Sequence, residues 1–389
     1  MKALLWAILT AARDKLRTIR EDKAAVTILL VAALAYGLIY PIPYQKQLAR
    51  KVPIVVVDQD GSIMSRQLVR MVDATEQVAV CRVVRSMAEA EDLVRAEAAR
   101  GAVVIPVDFE RSIQRGEQVV VGVFGDASYF MVYSQIATGA GQATGTLAAG
   151  IRIRRLQASG ANEDRARKAR NPLPIDLHPL YNPSGGYGNY LVPAVLILIL
   201  QQTLLIGIGT LAGTRREQAG TAKVQPSVLV ECLGQAMAYT GVYLVNAAVV
   251  FTVVFRVFDL PSHGPLLRLL VFLLPFLIAV SFLGLTLAAF FRSRESALQA
   301  LMFTSLPAIF VSGFSFPREA MPRWLQWWAQ SLPSTHGIAG GLRIFQMDAT
   351  LHDVQAPFLF LWLLAATYFL TALIAISRRR IRKPLSERS

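Results

Sequence analysis

Charge is what this sequence lacks most. Of its 389 residues only 17% are charged and 54% are hydrophobic, where a soluble chain of this size carries roughly 25% charge. The deficit collects in long uncharged runs, and no soluble core can absorb them. The dipeptide Gly-Lys occurs nowhere, which excludes a phosphate-binding loop of the usual kind, since that loop needs glycine amides followed by Lys and Ser or Thr. No Gly-x-Ser-x-Gly elbow and no zincin spacing is found, and the four histidines (His178, His263, His336, His352) are scattered. The expectation is a chain with no catalytic site, metal or cofactor of its own. Its two cysteines, Cys81 and Cys232, are too few for a metal cluster.

What is there is apolar length. Ala24 to Tyr40 is uncharged, and uncharged runs recur at Leu177–Thr214, Cys232–Phe255, Leu269–Phe291, Ser296–Pro317 and Val354–Ser377. A helix rising ~1.5 Å per residue crosses a hydrocarbon core of about 30 Å within each run. The predicted fold is a polytopic α-helical membrane protein with six transmembrane helices at 24–40, 190–212, 232–256, 268–291, 296–315 and 355–377. Ala33-Leu34-Ala35 resembles a signal-peptide cleavage site, but apolar sequence continues through Tyr40 and favours an anchor.

The basic residues orient the chain. They crowd residues 1–23, a loop at 213–231 (Arg215, Arg216, Lys223), Arg292 and Arg294, and a tail at 378–389. With six spans these segments share one side and hold 17 basic against 7 acidic residues, while the two short loops opposite hold 5 against 4. The positive-inside rule then places both termini in the cytoplasm. It also puts Cys81 and Cys232 on opposite sides of the membrane, which forbids a disulfide between them. The net charge of +14 is topological, and nucleic acid is not an expected partner.

Residues 41–189 have soluble character and are predicted to form a small extracytoplasmic α/β domain. Strands are expected at Val52–Val57, Val78–Val84, Gly101–Val107 and Val119–Phe124. Helices are expected from Ser62 to Asp73, from a capping box at Ser86-Met87-Ala88-Glu89 to about Arg100, over Phe109–Arg115, and across Tyr129–Ala158. Gly139, Gly141, Gly145 and Gly150 read as a close-packing stripe. Arg152, Arg154, Arg155, Arg165, Arg167, Lys168 and Arg170 read as a solvated basic face or a contact for a protein or anionic headgroups.

Inside the spans the polar residues are uncharged: Gln201, Gln202, Asn246, Ser281, Thr304 and Ser305. They are candidates for a translocation path or for interhelical hydrogen bonds. No span centre carries an ionisable group, which weighs against a proton- or sodium-driven carrier. In the last outer loop, Trp324, Trp327 and Trp328 suit the headgroup level, and a re-entrant or interfacial helix pair is expected over 317–345. Residues 1–23 place Leu5, Ile8, Leu9, Ala12, Leu16 and Ile19 at helical spacing beside basic residues, as in an interfacial helix.

Taken together, the chain resembles the membrane subunit of a type-2 ABC exporter. Three stretches carry the resemblance. One runs from Ser312-Gly313-Phe314-Ser315-Phe316-Pro317 through Pro322-Arg323-Trp324 to Leu332-Pro333-Ser334-Thr335, similar to the family's signature after the fifth span. The second is Arg216-Glu217 with Gly220-Thr221, similar to the coupling segment between spans two and three. The third is Val57-Asp58-Gln59-Asp60-Gly61-Ser62 with Ser65-Arg66, similar to the start of the outer domain in longer members.

The resemblance implies that ATP and Mg are held by a separate ATP-binding subunit. It implies that a second permease chain, identical or paralogous, completes the pore, that Arg215, Arg216, Glu217, Gly220 and Thr221 couple to the ATPase, and that Met1–Lys23 is a connecting helix. A periplasmic adaptor, an outer-membrane channel and inner-membrane lipids are the further partners it implies. The coupling loop is shorter than is usual in the family, since Lys223-Val224-Gln225-Pro226 arrives early. Two other classes remain open from the residues: a membrane-anchored docking protein that moves nothing, and a secondary drug transporter. The substrate is not legible.

Overall fold

The computed structural model describes residues 2–45, 50–159, 180–182, 185–217 and 226–381. The chain separates into two compact units, one of residues 1–47 and 179–389, the other of residues 48–178.

The first unit is helical. Helix α1 (Lys2–Glu21) ends where Asp22 turns the chain, its Oδ1 accepting from the amides of Ala24 and Ala25 at 3.0 Å each. A long apolar rod follows, Lys23–Tyr44, made of α2 (Lys23–Val26), a π-helical turn (Thr27–Ala32) and α3 (Ala33–Ile39). The other long helices are α8 (Tyr187–Glu217), α9 (Val228–Val257), α10 (Leu266–Ala288) and α15 (Gln355–Ile381). These five helices are long and apolar enough to cross a membrane.

The expected span at 296–315 is not one of them. It is two short helices, α11 (Arg294–Phe303) and α12 (Ser305–Val311), parted at Thr304. The cause is local. Pro307 has no N–H to give the Phe303 carbonyl, and the hydroxyls of Thr304 and Ser305 bond back to Leu301 O and Met302 O at 2.7 and 2.6 Å.

Helix α8 is the axis of the unit and is buried along most of its length. Pro193 within it cannot bond the Asn189 carbonyl, and Gln346 Nε2 donates to that oxygen instead at 2.5 Å. Two further helices follow the break, α13 (Arg323–Ser331) and α14 (Pro333–Met347). On α13 the tryptophans Trp324, Trp327 and Trp328 are exposed. Helix α14 packs within the bundle, where three glycines admit its neighbours. A Cβ at Gly340 would lie 2.1 Å from the Phe272 ring, at Gly337 2.9 Å from Phe276, and at Gly341 2.6 Å from Ile197.

The second unit is a four-stranded sheet of order β2-β1-β3-β4: β1 (Val52–Asp58), β2 (Val78–Val84), β3 (Gly101–Ile105) and β4 (Gly122–Gly125). Strand β1 is parallel to both neighbours and β4 is antiparallel to β3. Both faces of β1 are covered, as central parallel strands require. Ile54 and Val56 pack with α4 (Ile63–Asp73) and α7 (Phe130–Ala158), and Val55 and Val57 pack on the side of α5 (Met87–Arg95). A last helix, α6 (Phe109–Arg115), follows β3.

Helix α5 stops short of Arg100, because the chain enters the left-handed region at Glu97 (φ 56°). Its cap is half the expected box: Ser86 accepts from the Glu89 amide at 3.3 Å, and no reciprocal bond is among those described. Of the glycine stripe only Gly139 faces a neighbour closely, its missing Cβ 3.1 Å from Gln77 and Thr75; Gly141, Gly145 and Gly150 face open space. Of the basic stretch, Arg165, Arg167, Lys168 and Arg170 lie outside the described residues, and Arg155 bonds the Ile113 carbonyl.

The stretch from Asp58 to Arg66 is a built turn. Asp58 Oδ1 accepts from the amides of Asp60 and Gly61, its Oδ2 accepts from Ser65 Oγ at 2.9 Å, and Gly61 takes φ +65°.

Candidate functional site

Two sets of polar ties in the helical unit involve the expected site residues: one at the C-terminal end of α8, the other between α8, α9 and the helices packed on them.

Helix α8 continues through Glu217, so Arg215, Arg216 and Glu217 form its last turn rather than a loop. Gly213, one turn earlier, lets this end seat directly on the start of α11. A Cβ there would lie 2.6 Å from the Arg294 amide nitrogen, a backbone atom that cannot yield. Arg216 then reaches the turn before α11 and donates from Nη2 to the carbonyls of Ala288 and Ala289 at 2.9 and 3.0 Å. These are terminal carbonyls of α10, which a helix leaves without partners of its own.

Glu217 faces the opposite helix end. Its Oε1 accepts from the Arg294 amide at 2.9 Å, placing a carboxylate at the positive N-terminus of α11. Ser293 and Ser296 complete that end as a reciprocal capping box. On the other side, Arg215 Nη2 donates to Thr18 Oγ1 of α1 at 2.5 Å. Three consecutive residues thus tie α8 to α1, α10 and α11. Gly220 and Thr221, the other expected coupling residues, lie outside the described residues.

Of the six candidate path residues, Gln201, Asn246 and Ser281 tie helices in pairs. Gln201, 1% exposed, accepts at Oε1 from the Ser334 amide at 2.8 Å and so caps the N-terminus of α14. Gln202 is buried beside it in sequence, with Oε1 unpartnered among the described residues. Asn246 Nδ2 donates to the Leu29 carbonyl at 2.8 Å, inside the π-helical turn whose backbone ladder is irregular. Ser281 and Thr240 share a hydrogen bond at 3.3 Å between α10 and α9. Thr304 and Ser305 bond only their own helical segment among the described bonds.

In the outer segment, Ser312 is buried and bonds Ile309 O. Gly313 takes φ +86°, with the Arg318 side chain against its Cα. Pro317 leads into a short 3-10 turn, Pro322 precedes α13, and Pro333 opens α14. Trp324 is exposed at the start of α13.

Several contributors carry weak sequence signals. The Gln346–Asn189 bond, the Thr18–Arg215 bond and the packing of the Leu29 side chain against Gly207 each join residues more than 150 positions apart, so no local spacing reveals them. The glycine spacing at 337, 340 and 341 could have been read as a packing face, and Ser293–Ser296 as a cap of the less common Ser/Ser kind.

A family profile described as "ABC-2 family transporter protein" matches residues 23–374. The "Probable multidrug ABC transporter permease YbhR" of Escherichia coli K12 is 21% identical over 384 residues, covering 97% of this chain and 99% of that protein. The "Inner membrane transport permease YhhJ" of the same strain is 25% identical over 386 residues, 92% of this chain and 94% of its own. "ABC transporter G family member 20" of Dictyostelium discoideum is 25% identical over 230 residues, 56% of this chain but 30% of that longer protein. With full-length likeness to permeases and five long apolar helices, α8 among them, this chain belongs to the ABC-2 transporter family and is a membrane permease of that family.

Proposed function

We propose that the chain is the permease subunit of an ABC exporter in a bacterial inner membrane, driven by ATP hydrolysed on a separate subunit and completed by a second permease chain. The observation that carries this reading is the triple tie at the end of α8. A push on its last turn would reach α1 through Arg215, α10 through Arg216 and α11 through Glu217 at once. That is the arrangement a nucleotide-driven subunit needs if it is to move several helices from one contact.

In this reading the broken α11–α12 segment is the sixth crossing, both termini are cytoplasmic, and the α/β unit lies outside, facing an adaptor and an outer-membrane channel. Helix α1 then lies on the cytoplasmic surface, where Leu5, Trp6, Leu9 and Leu16 are exposed beside its basic residues. The relative described as a multidrug permease directs the substrate search toward small amphipathic compounds.

The purified chain alone is expected to hydrolyse no ATP and to copurify with a coexpressed ATP-binding subunit; intrinsic turnover would sink the reading. Charge reversal, Arg216→Glu or Glu217→Arg, is expected to leave the complex assembled and ATP hydrolysis running while substrate efflux is lost. Normal efflux in both variants would remove these residues from coupling.

A further inference from the structure

Beneath the tie just described lies an imbalance of charge. Lys15 of α1 is 3% exposed, and its ammonium sits 5.0 Å from the centroid of the Tyr239 ring of α9. A buried ammonium requires a counter-charge or surrenders its proton. The carboxylate that acts on it is Glu231, at the start of α9. Glu231 is already engaged, ion-paired with Arg380 of α15 at one oxygen and accepting from Gln235 Nε2 at the other. Arg215 and Arg379 act on Lys15 from α8 and α15 and add two more positive charges. Lys15 therefore faces two further cations, Arg215 and Arg379, and one carboxylate that Arg380 already holds. Tyr239 Oη and Arg380 Nε are buried here without a partner among the described residues. The imbalance also shows in Lys15 itself: burial, then Arg215, hold its ammonium well below the ordinary lysine range, with Glu231 pulling the other way.

We propose that this cluster is a binding site for the phosphate of an anionic phospholipid headgroup, with Arg215 and Arg379 at the rim and Lys15 at the floor. Both arginines are exposed while Lys15 is buried, so an anion meets the guanidiniums first. A diester phosphate offers the acceptor oxygens that two guanidiniums match. The adjoining face of α1 presents Leu5, Leu9 and Leu16 to the surroundings, a surface for acyl chains at a bilayer boundary. This favours a lipid over a free phosphate ion. Basic pockets between membrane helices on the cytoplasmic side bind such headgroups for the same electrostatic reason.

The test uses the full chain in nanodiscs or mixed micelles, with bound lipid counted by native mass spectrometry. Phosphatidylglycerol is expected to be retained over phosphatidylcholine. The double variant Arg215→Gln/Arg379→Gln is expected to lose that preference roughly thirtyfold, from the loss of two surface cations. Arg215→Lys/Arg379→Lys is expected to keep most of it, which separates charge from folding defects. Three results would overturn the proposal: equal retention of the two lipids by the native chain, undiminished preference in the glutamine variant, or stabilisation by inorganic phosphate alone to the same degree. If the second comes with loss of ATP-binding-subunit copurification, these cations belong to a protein partner.

Discussion

Leu29 illustrates how much one residue can organise in a chain without charge. It lies in the π-helical turn, fully buried. Its side chain fills the notch at Gly207, where a Cβ would lie 2.1 Å from Leu29 Cδ2, and its carbonyl is taken by Asn246. Gly207→Ala is expected to destabilise the helical unit by about 1–3 kcal/mol, the cost of overpacking. Combined with Leu29→Ala it should cost less than the two single changes added together, a coupling that thermal unfolding of the four proteins in one detergent would measure. Asn246→Leu leaves the Leu29 carbonyl buried and unpaired and is expected to cost about 1–3 kcal/mol in the same assay.

A residue outside the spans gives a pH effect. Asp353 accepts from the amide and hydroxyl of Thr350 at 2.8 and 2.7 Å, and these bonds hold its carboxyl below the ordinary carboxylate range. Because the folded value is depressed, the contribution to stability is present above the unfolded pKa and is lost as pH falls through the folded one. Thr350→Val is expected to return Asp353 toward the ordinary value in a carboxyl NMR titration; an unchanged midpoint would show that the hydroxyl bond is immaterial.

At the scale of elements, the informative feature is the break at Thr304. The residues supply enough apolar length for a continuous span, yet Pro307 and two back-bonding hydroxyls divide it. Pro307→Ala restores a donor for Phe303 O and is expected to join α11 to α12, raising the unfolding temperature while slowing the proposed efflux. Undiminished efflux from a joined helix would show that the break has no part in movement. Helix α8 carries the opposite lesson. Its proline at 193 does not divide it, because Gln346 of α14 supplies the bond that Pro193 withholds. The same substitution class therefore has different consequences according to what a neighbouring helix offers, and periodicity along one segment contains no such information.

At the scale of the molecule, the chain is two compact units. The sheet unit has its own two-sided core around β1. Under the proposed exporter function, replacing residues 48–178 with a short flexible linker is expected to leave the helical unit inserted and still copurifying with the ATP-binding subunit, while transport that needs an outer partner is lost. Failure of the shortened chain to insert would show that the helical unit depends on the sheet for folding.

Composition and uncharged length by themselves determined that this is a helical membrane chain, because transfer of apolar side chains from water is additive along a segment. Strand and helix alternation in the sheet unit was legible for the same reason: local spacing sets which face is buried. What only the tertiary structure decided was who satisfies whom. Arg216 and Glu217 were visible as a charged pair, but their places on the ends of α10 and α11 required α8 to be brought against the α10–α11 turn by Gly213. Gln201 and Asn246 were visible as buried polar groups, but their roles as caps for α14 and for the π-helical turn depended on backbone atoms 133 and 217 positions away. Hydrogen bonds are directional and short, so the partner of a polar side chain is a property of packing, and the little charge and polarity this sequence retains acquires its meaning there.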